Sequence, residues 1–345
     1  MKSIIVIGSN LIGLYSAIRL VELGYNVSII DKKSALGNMK YNNYCIFNKN
    51  HMMYINLLNK FNMKYSVFSV RQNENLNKLL TSIISTSRLI PKKNIISQSF
   101  AKFCKSILTT YEYEVLRNNL EDFDYIYANM NAMDCITMFS YDITYKQEFL
   151  KLDDDISVLI RRISQYLVEN KITIIQNTEV KDIKYDNGLY IVNNTYQAHI
   201  IVMTLSKKNL MQLKVWTKEQ KSLLNSVSTH YLNTNCIFNI MKEDVTTTES
   251  SAESLAESLA EHTAIRNKIL EKLHISYPII KSNHCAIDMW NIGINSIIIR
   301  EKIKNISPTL FICNLSHSKN AFFINYGLES FDVILSRITR ICASS

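Results

Sequence analysis

Gly8, Gly13, Asp31 and Gly37 have the types and the spacing to hold a phosphate and a ribose. The chain opens Ser3-Ile-Ile-Val-Ile-Gly8-Ser-Asn-Leu-Ile-Gly13, continues as an amphipathic run to Gly24, and then reads Val27-Ser-Ile-Ile-Asp31. Gly8 allows a sharp exit from a strand, and Gly13 lets the next helix pack closely on a sheet. Free N–H groups near Leu11 and Ile12 would face an anion at the helix N-terminus. Asp31 is placed to accept hydrogen bonds from ribose hydroxyls, which favours a cofactor without a 2′-phosphate. Lys32 follows it directly.

These residues need a strand, a tight turn, a helix and a second strand to position them, and the pattern supplies all four. Four of the seven glycines fall within the first 37 residues, so a chain poor in glycine keeps it where the backbone must turn. A polar loop then leads to a helical pattern around His51–Phe61. From about Lys64 to Tyr145 helical runs (Leu76–Ile84, Phe100–Leu108, Glu112–Leu120) mix with aromatic stretches, without a βαβ rhythm. This reads as an inserted helical or mixed region. Order returns with an apolar helix face at Ile156, Leu159, Ile160, Ile163 and Leu167, preceded by Asp153–Asp155. Strands follow at Ile172–Gln176, Val180–Tyr185, Leu189–Val192 and Ala198–Thr204, with Asn187-Gly188 as a hairpin turn. Thr246–Glu261 is a four-residue repeat of low complexity that reads as a surface insertion starting or lengthening a helix to about Leu273. A strand at Thr309–Cys313 and a helix at Tyr326–Ile341 close the chain.

At 345 residues, nearly half of them apolar, the chain can build a sizeable core and two joined domains. The bias toward Asn, Ile, Lys, Tyr and Met follows AT-rich codons. Seven scattered cysteines with no C-x-x-C point to reduced core thiols in a reducing compartment such as the cytoplasm. No histidine spacing suggests a metal. Gly8, Ser9, Asn10, Arg19 and Glu22 break up the apolar start, which argues against an export signal, and no run is long enough to span a membrane. The charge of +9 reads as a solvated basic surface, and no motif calls for nucleic acid.

The register past Asp31 resembles the FAD-binding motif of the flavin-containing amine oxidase and protoporphyrinogen oxidase superfamily. In that family a Gly-Gly-Arg turn stands where this chain has Gly37-Asn38-Met39. The helix Ile156–Leu167, the strand Ile172–Gln176 and Asn177-Thr178-Glu179-Val180 are similar to the family's return to its nucleotide domain. The resemblance implies that Val180 meets the adenine through its backbone, and that the strand ending at Thr204 lies near the cofactor. Leu310–Asn314 matches the C-terminal strand and acid position, and Tyr326-Gly327-Leu328-Glu329-Ser330-Phe331 matches the last helix start. Phe323, together with Trp290, would line the flavin face.

The fold expected is therefore α/β: a Rossmann-like FAD/NAD(P)-binding domain with a parallel sheet, from 1–63, 153–212 and 305–345. An interleaved α+β substrate (cap) domain is expected from 64–152 and 213–304. The cofactor-binding set is Gly8, Asn10, Leu11, Ile12, Gly13, Asp31, Lys32, Gly37, Asn38, Lys40, Val180, Thr204 and Asn314. The implied activity is hydride transfer from a C–N or C–C bond of a small-molecule substrate to FAD. Several positions depart from the family. Asn10 stands for the middle glycine, its amide in the path of a pyrophosphate. The arginine of the turn is gone, with Lys40 one position late. Cys313-Asn314 replaces Gly-Glu, and Phe331 replaces a glycine. No lysine falls between Lys221 and Lys242, a stretch that includes the strand near His230–Phe238 where many amine oxidases carry one. Two further readings stay open. One is a non-catalytic protein that kept the frame and lost the ligand, its site plugged by Asn10, Met39 or Cys313. The other is an NAD-linked dehydrogenase, for which His230, His284 and His317 are the histidines to test. No motif indicates an oligomeric state.

Overall fold

A computed structural model describes residues 2–37, 46–68, 74–120, 123–124, 126–143, 148–233, 284–320 and 323–343. In chain order β1 (Ser3–Ile7), α1 (Leu11–Glu22) and β2 (Asn26–Ile30) are followed by β3 (Ile46–Asn48), α2 (Met52–Lys60) and β4 (Tyr65–Phe68). Next come α3 (Glu74–Ser87), α4 (Lys92–Ile96), α5 (Phe100–Ile107), α6 (Thr110–Asn119), α7 (Ala132–Met138), β5 (Phe149–Leu152), α8 (Ile156–Glu169) and β6 (Thr173–Ile175). β7 (Ile183–Asp186), β8 (Leu189–Val192), β9 (Tyr196–Ala198), β10 (Ile200–Met203), α9 (Lys207–Gln212), α10 (Lys218–Leu224) and β11 (Val227–Asn233) follow. β12 (His284–Trp290), α11 (Ser296–Lys304), β13 (Leu310–Ile312) and α12 (Ile324–Ala343) complete the described strands and α-helices.

The central sheet is five-stranded and parallel, in the order β13-β10-β1-β2-β6. Its inner strands are largely apolar runs because both faces of the sheet are covered. Ile4 and Val6 point into a cluster with α1, α8 and α12, while Ile5 and Ile7 point into one with β8, β10 and Trp290. The α/β architecture with a Rossmann-like parallel sheet is thus the one the sequence implied. Leu159, Ile163 and Leu167 form the buried stripe of α8, as their spacing implied. Asp155 caps the first turn of that helix, its Oδ1 accepting from Ser157 N at 2.7 Å.

The stretch that lacked rhythm forms helices α3 to α7 around a separate apolar cluster rich in Phe100, Phe103, Phe123, Tyr127 and Phe139. Two small antiparallel sheets, β3-β5-β4 and β7-β8-β9, and the β11-β12 pair complete the fold. Asn187 and Gly188 both adopt the left-handed backbone of the expected hairpin, with φ of 48° and 83°. Asparagine takes on the role of glycine elsewhere too: Asn62, Asn177, Asn193 and Asn194 all have φ between 50° and 55°. Strand Val180–Tyr185 begins later than its pattern suggested, at Ile183, because Asn193 binds the amides of Lys181 and Asp182 through its side chain. The repeat Thr246–Glu261 and the helix to Leu273 lie outside the described residues, as does part of His230–Phe238. Among the described residues no helix is long and apolar enough to cross a membrane.

Candidate functional site

β1 has β2 on one side and β10 on the other, and the chain reaches them by connections running opposite ways. The C-terminal ends of β1 and β10 therefore flank a switch-point crevice, where open α/β sheets take their ligands. The turn after β1 is built on glycine for steric reasons. Gly8 has φ of 103° and donates its N–H to Ile30 O at 2.9 Å. A Cβ on Gly13 would lie 2.0 Å from Gly8 O, so α1 can leave the strand this tightly only with glycine there.

The polar groups of the crevice are brought together, and they bond one another. Asp31 Oδ2 accepts from Ser9 N at 2.5 Å and Ser9 Oγ at 2.7 Å, while its Oδ1 accepts from Lys33 N at 2.8 Å. Asn10 is the N-cap of α1: its Oδ1 accepts from Gly13 N at 3.0 Å. Its Nδ2 reaches across the crevice and donates to Thr204 O at 2.6 Å. Thr204, fully buried at the end of β10, donates its hydroxyl back to Ile7 O and Gly8 O, each at 3.1 Å. Gly37 N donates to Ser9 O at 2.8 Å, tying the loop after β2 over the turn. Leu11 and Ile12 are buried, as is Ser9 at 1 % exposure.

The opposite wall comes from the segment after β13. Asn314 Nδ2 donates to Leu205 O at 2.6 Å, and its Oδ1 accepts from His317 N at 3.0 Å. Cys313 is buried with Sγ 3.2 Å from Gly327 O, and burial pushes its thiol pKa well up. A Cβ on Gly327 would meet Ile12 Cδ1 at 2.3 Å, so the starts of α1 and α12 touch through the Ile12 side chain. Phe331 lies one helical turn further on, fully buried and edge-on to Tyr15 at 6.1 Å.

His317 is held neutral. Burial lowers its pKa to about 4, against an upward pull from Leu224 O, 3.1 Å from Nε2, and from Asp288. An unfolded chain takes up this proton near pH 6.5 and the folded one only near pH 4, so the group's contribution is complete above 6.5 and is lost as the pH falls. Between pH 8 and pH 4 the wild type should lose about 3 kcal/mol more stability than His317→Gln. Urea unfolding of both proteins at the two pH values measures this.

The two aromatic candidates occupy different clusters. Trp290 packs with Ile5, Met203 and Leu310, and its Nε1 donates to Ser318 O at 3.1 Å. Phe323 packs with the helices of the mixed region, edge-on to His51 at 4.8 Å. Trp290 also lines a cavity of about 20 Å³ with Asp134, Met138, Asp288 and Lys319, room for little more than one water. Asp134 has a buried Oδ2 with no hydrogen-bond partner, and burial raises its pKa to about 6. Val180 is half-buried against the Trp290 cluster, and Lys32 is exposed. Asn38, Met39 and Lys40 lie outside the described residues. Sequence reasoning missed Ser9 and the Lys33 amide as partners of Asp31. A serine directly after the strand-ending glycine was the available signal.

No family model matches the chain, and no curated protein matches it by sequence. Solved structures do. A redesigned double mutant of putrescine oxidase superposes with a TM-score of 0.68 at 8 % identity, covering 98 % of this chain and 99 % of that one. Cyclohexylamine oxidase from Brevibacterium oxydans IH-35A gives 0.64 at 10 % identity, with the same coverage. The chain has the fold of the flavin amine oxidases. The amine-oxidase-like fold thus covers nearly the whole chain, including stretches that the motifs of the sequence resemblance do not reach. Gly8, Gly13, Asp31 and Thr204 stand around the crevice, with Asn10 across it.

Proposed function

We propose that this chain keeps the amine-oxidase frame without the flavin, and acts as a non-catalytic interaction protein. One observation carries the reading: the Asn10 amide spans the switch-point crevice from Gly13 N to Thr204 O. The residues of the crevice do not fit a dinucleotide as they stand. Asn10 supplies the helix cap that a phosphate would otherwise supply. Ile12 fills the gap against Gly327, and both oxygens of Asp31 already accept from Ser9 and Lys33.

The absorbance spectrum tests this. Purified protein should show no flavin band, with or without incubation in FAD. A wild-type protein that carries or takes up FAD overturns the proposal. Asn10→Gly removes the bridge, and should lower stability by about 1 kcal/mol through the lost Thr204 bond and the more flexible backbone. Thermal unfolding checks that figure.

The second reading is a FAD-dependent oxidoreductase that removes hydride from a C–N or C–C bond. It is favoured by Gly8, Gly13 and Asp31, which keep the backbone path of a dinucleotide site at the end of β1 and β2. It requires Asn10 to release Thr204, and the same spectrum decides it.

A further inference from the structure

The sequence between Glu74 and Glu112 holds six basic residues (Lys78, Arg88, Lys92, Lys93, Lys102 and Lys105) and no acidic one. Three of these lie in one short stretch, Arg88-Leu89-Ile90-Pro91-Lys92-Lys93, which turns from α3 into α4. Arg88, Lys92 and Lys93 are exposed. Leu89, between them, is 85 % exposed, the highest value among the large apolar side chains of the described residues.

A second segment adjoins the far end of α4. Gly293 N donates to Ile96 O, the last residue of α4, at 2.8 Å. Buried Asn131 fastens the two together, donating through Nδ2 to Ile96 O at 3.3 Å, Asn291 O at 3.2 Å and Ile294 O at 3.1 Å. This second segment exposes Ile292 (48 %), Ile297 (57 %) and Ile298 (52 %). These are all the strongly exposed isoleucines among the described residues. Between Asp288 and Glu301 it has no acidic side chain.

Scattered exposed apolar residues need no explanation, but four leucine and isoleucine side chains on two segments tied at one point do. Their setting selects the partner. Bare aliphatic tips next to arginine and lysine, with the one neighbouring exposed acid of α11, Glu301, paired to Lys304 at 2.6 Å, match the boundary of an anionic bilayer. There the bases meet lipid phosphates and carboxylates while the tips enter the acyl edge. A nucleic acid would reward the bases and leave the aliphatic tips in water.

We propose that the α3–α4 turn and the 291–298 segment form a face that docks on anionic membrane surfaces, with Leu89, Ile292, Ile297 and Ile298 as shallow anchors. The inference rests on this surface alone and holds whether or not the crevice takes a flavin.

Co-sedimentation of the full chain with vesicles tests it. Binding to phosphatidylserine–phosphatidylcholine vesicles should exceed binding to pure phosphatidylcholine and fall with added salt. A Lys92→Ser, Lys93→Ser double variant should bind the anionic vesicles about twenty-fivefold more weakly, from a factor of about five per lysine. Leu89→Ser with Ile292→Ser should weaken binding at least about tenfold, through lost apolar contact. Both variants change exposed side chains, and an unchanged melting temperature confirms their fold. Three outcomes overturn the proposal: no binding to anionic vesicles, equal binding to both lipids, or apolar variants that lose self-association but keep vesicle binding. The last would make the face a protein interface.

Discussion

Gly13→Ala should destabilise the protein by about 3–5 kcal/mol, although alanine is the better helix former by about 1 kcal/mol. The added Cβ would lie 2.0 Å from Gly8 O, 2.9 Å from Thr204 Oγ1 and 3.0 Å from Gly8 C. Two of these atoms are backbone, fixed by the pairing of β1 with β2 and β10. The helix can make room only by lifting off the sheet, and Leu14, Ala17 and Ile18 lose their packing when it does. Urea unfolding should show a lower midpoint with an unchanged slope. Gly24→Ala is the control. It has φ of 81° and open space around it, so only backbone strain of about 1 kcal/mol applies. If Gly13→Ala costs no more than this control, the close approach of α1 to β1 is not what requires glycine.

Asp31→Ala should cost about 2–4 kcal/mol, and Asp31→Asn roughly half of that. The carboxylate accepts from Ser9 N, Ser9 Oγ and Lys33 N, and Ser9 is almost fully buried, so its donors have no water to turn to. Asparagine keeps one acceptor oxygen, while alanine keeps none. A residue present only to receive a ribose would leave stability unchanged when removed. Denaturation of the ligand-free protein therefore separates the two roles, and an Asp31→Ala variant as stable as wild type would show that the carboxylate waits for a ligand.

Much of the fold was legible because its signals are local. Ile4 to Ile7 form a continuous apolar strand, Leu159, Ile163 and Leu167 mark one helix face, and Asn187-Gly188 names its own turn. The helices α3 to α7 were harder to place. Three of them, α3, α5 and α6, were legible as helical runs, but how they pack depends on long-range contacts of Phe100, Phe123 and Phe139, which no short-range period records. The candidate site shows the same division. Gly8, Gly13 and Asp31 were recognisable from spacing, because spacing sets the backbone path. The bond from Asn10 to Thr204 joins residues 194 apart in sequence and could be read only once β10 was seen beside β1. Phe323 and Trp290 shared an expected role but joined different clusters, since nothing in their local sequence says which core each enters.

The Asn10 bridge has a consequence for how the chain matures. A protein whose first helix is capped by a bound anion gains stability by mass action, and its folded fraction follows the supply of that ligand. Here the cap is covalently part of the chain, directly ahead of the helical turn it closes. The first turn of α1 can therefore close on the chain's own amide, before Thr204, 194 residues further on, is there to complete the bridge.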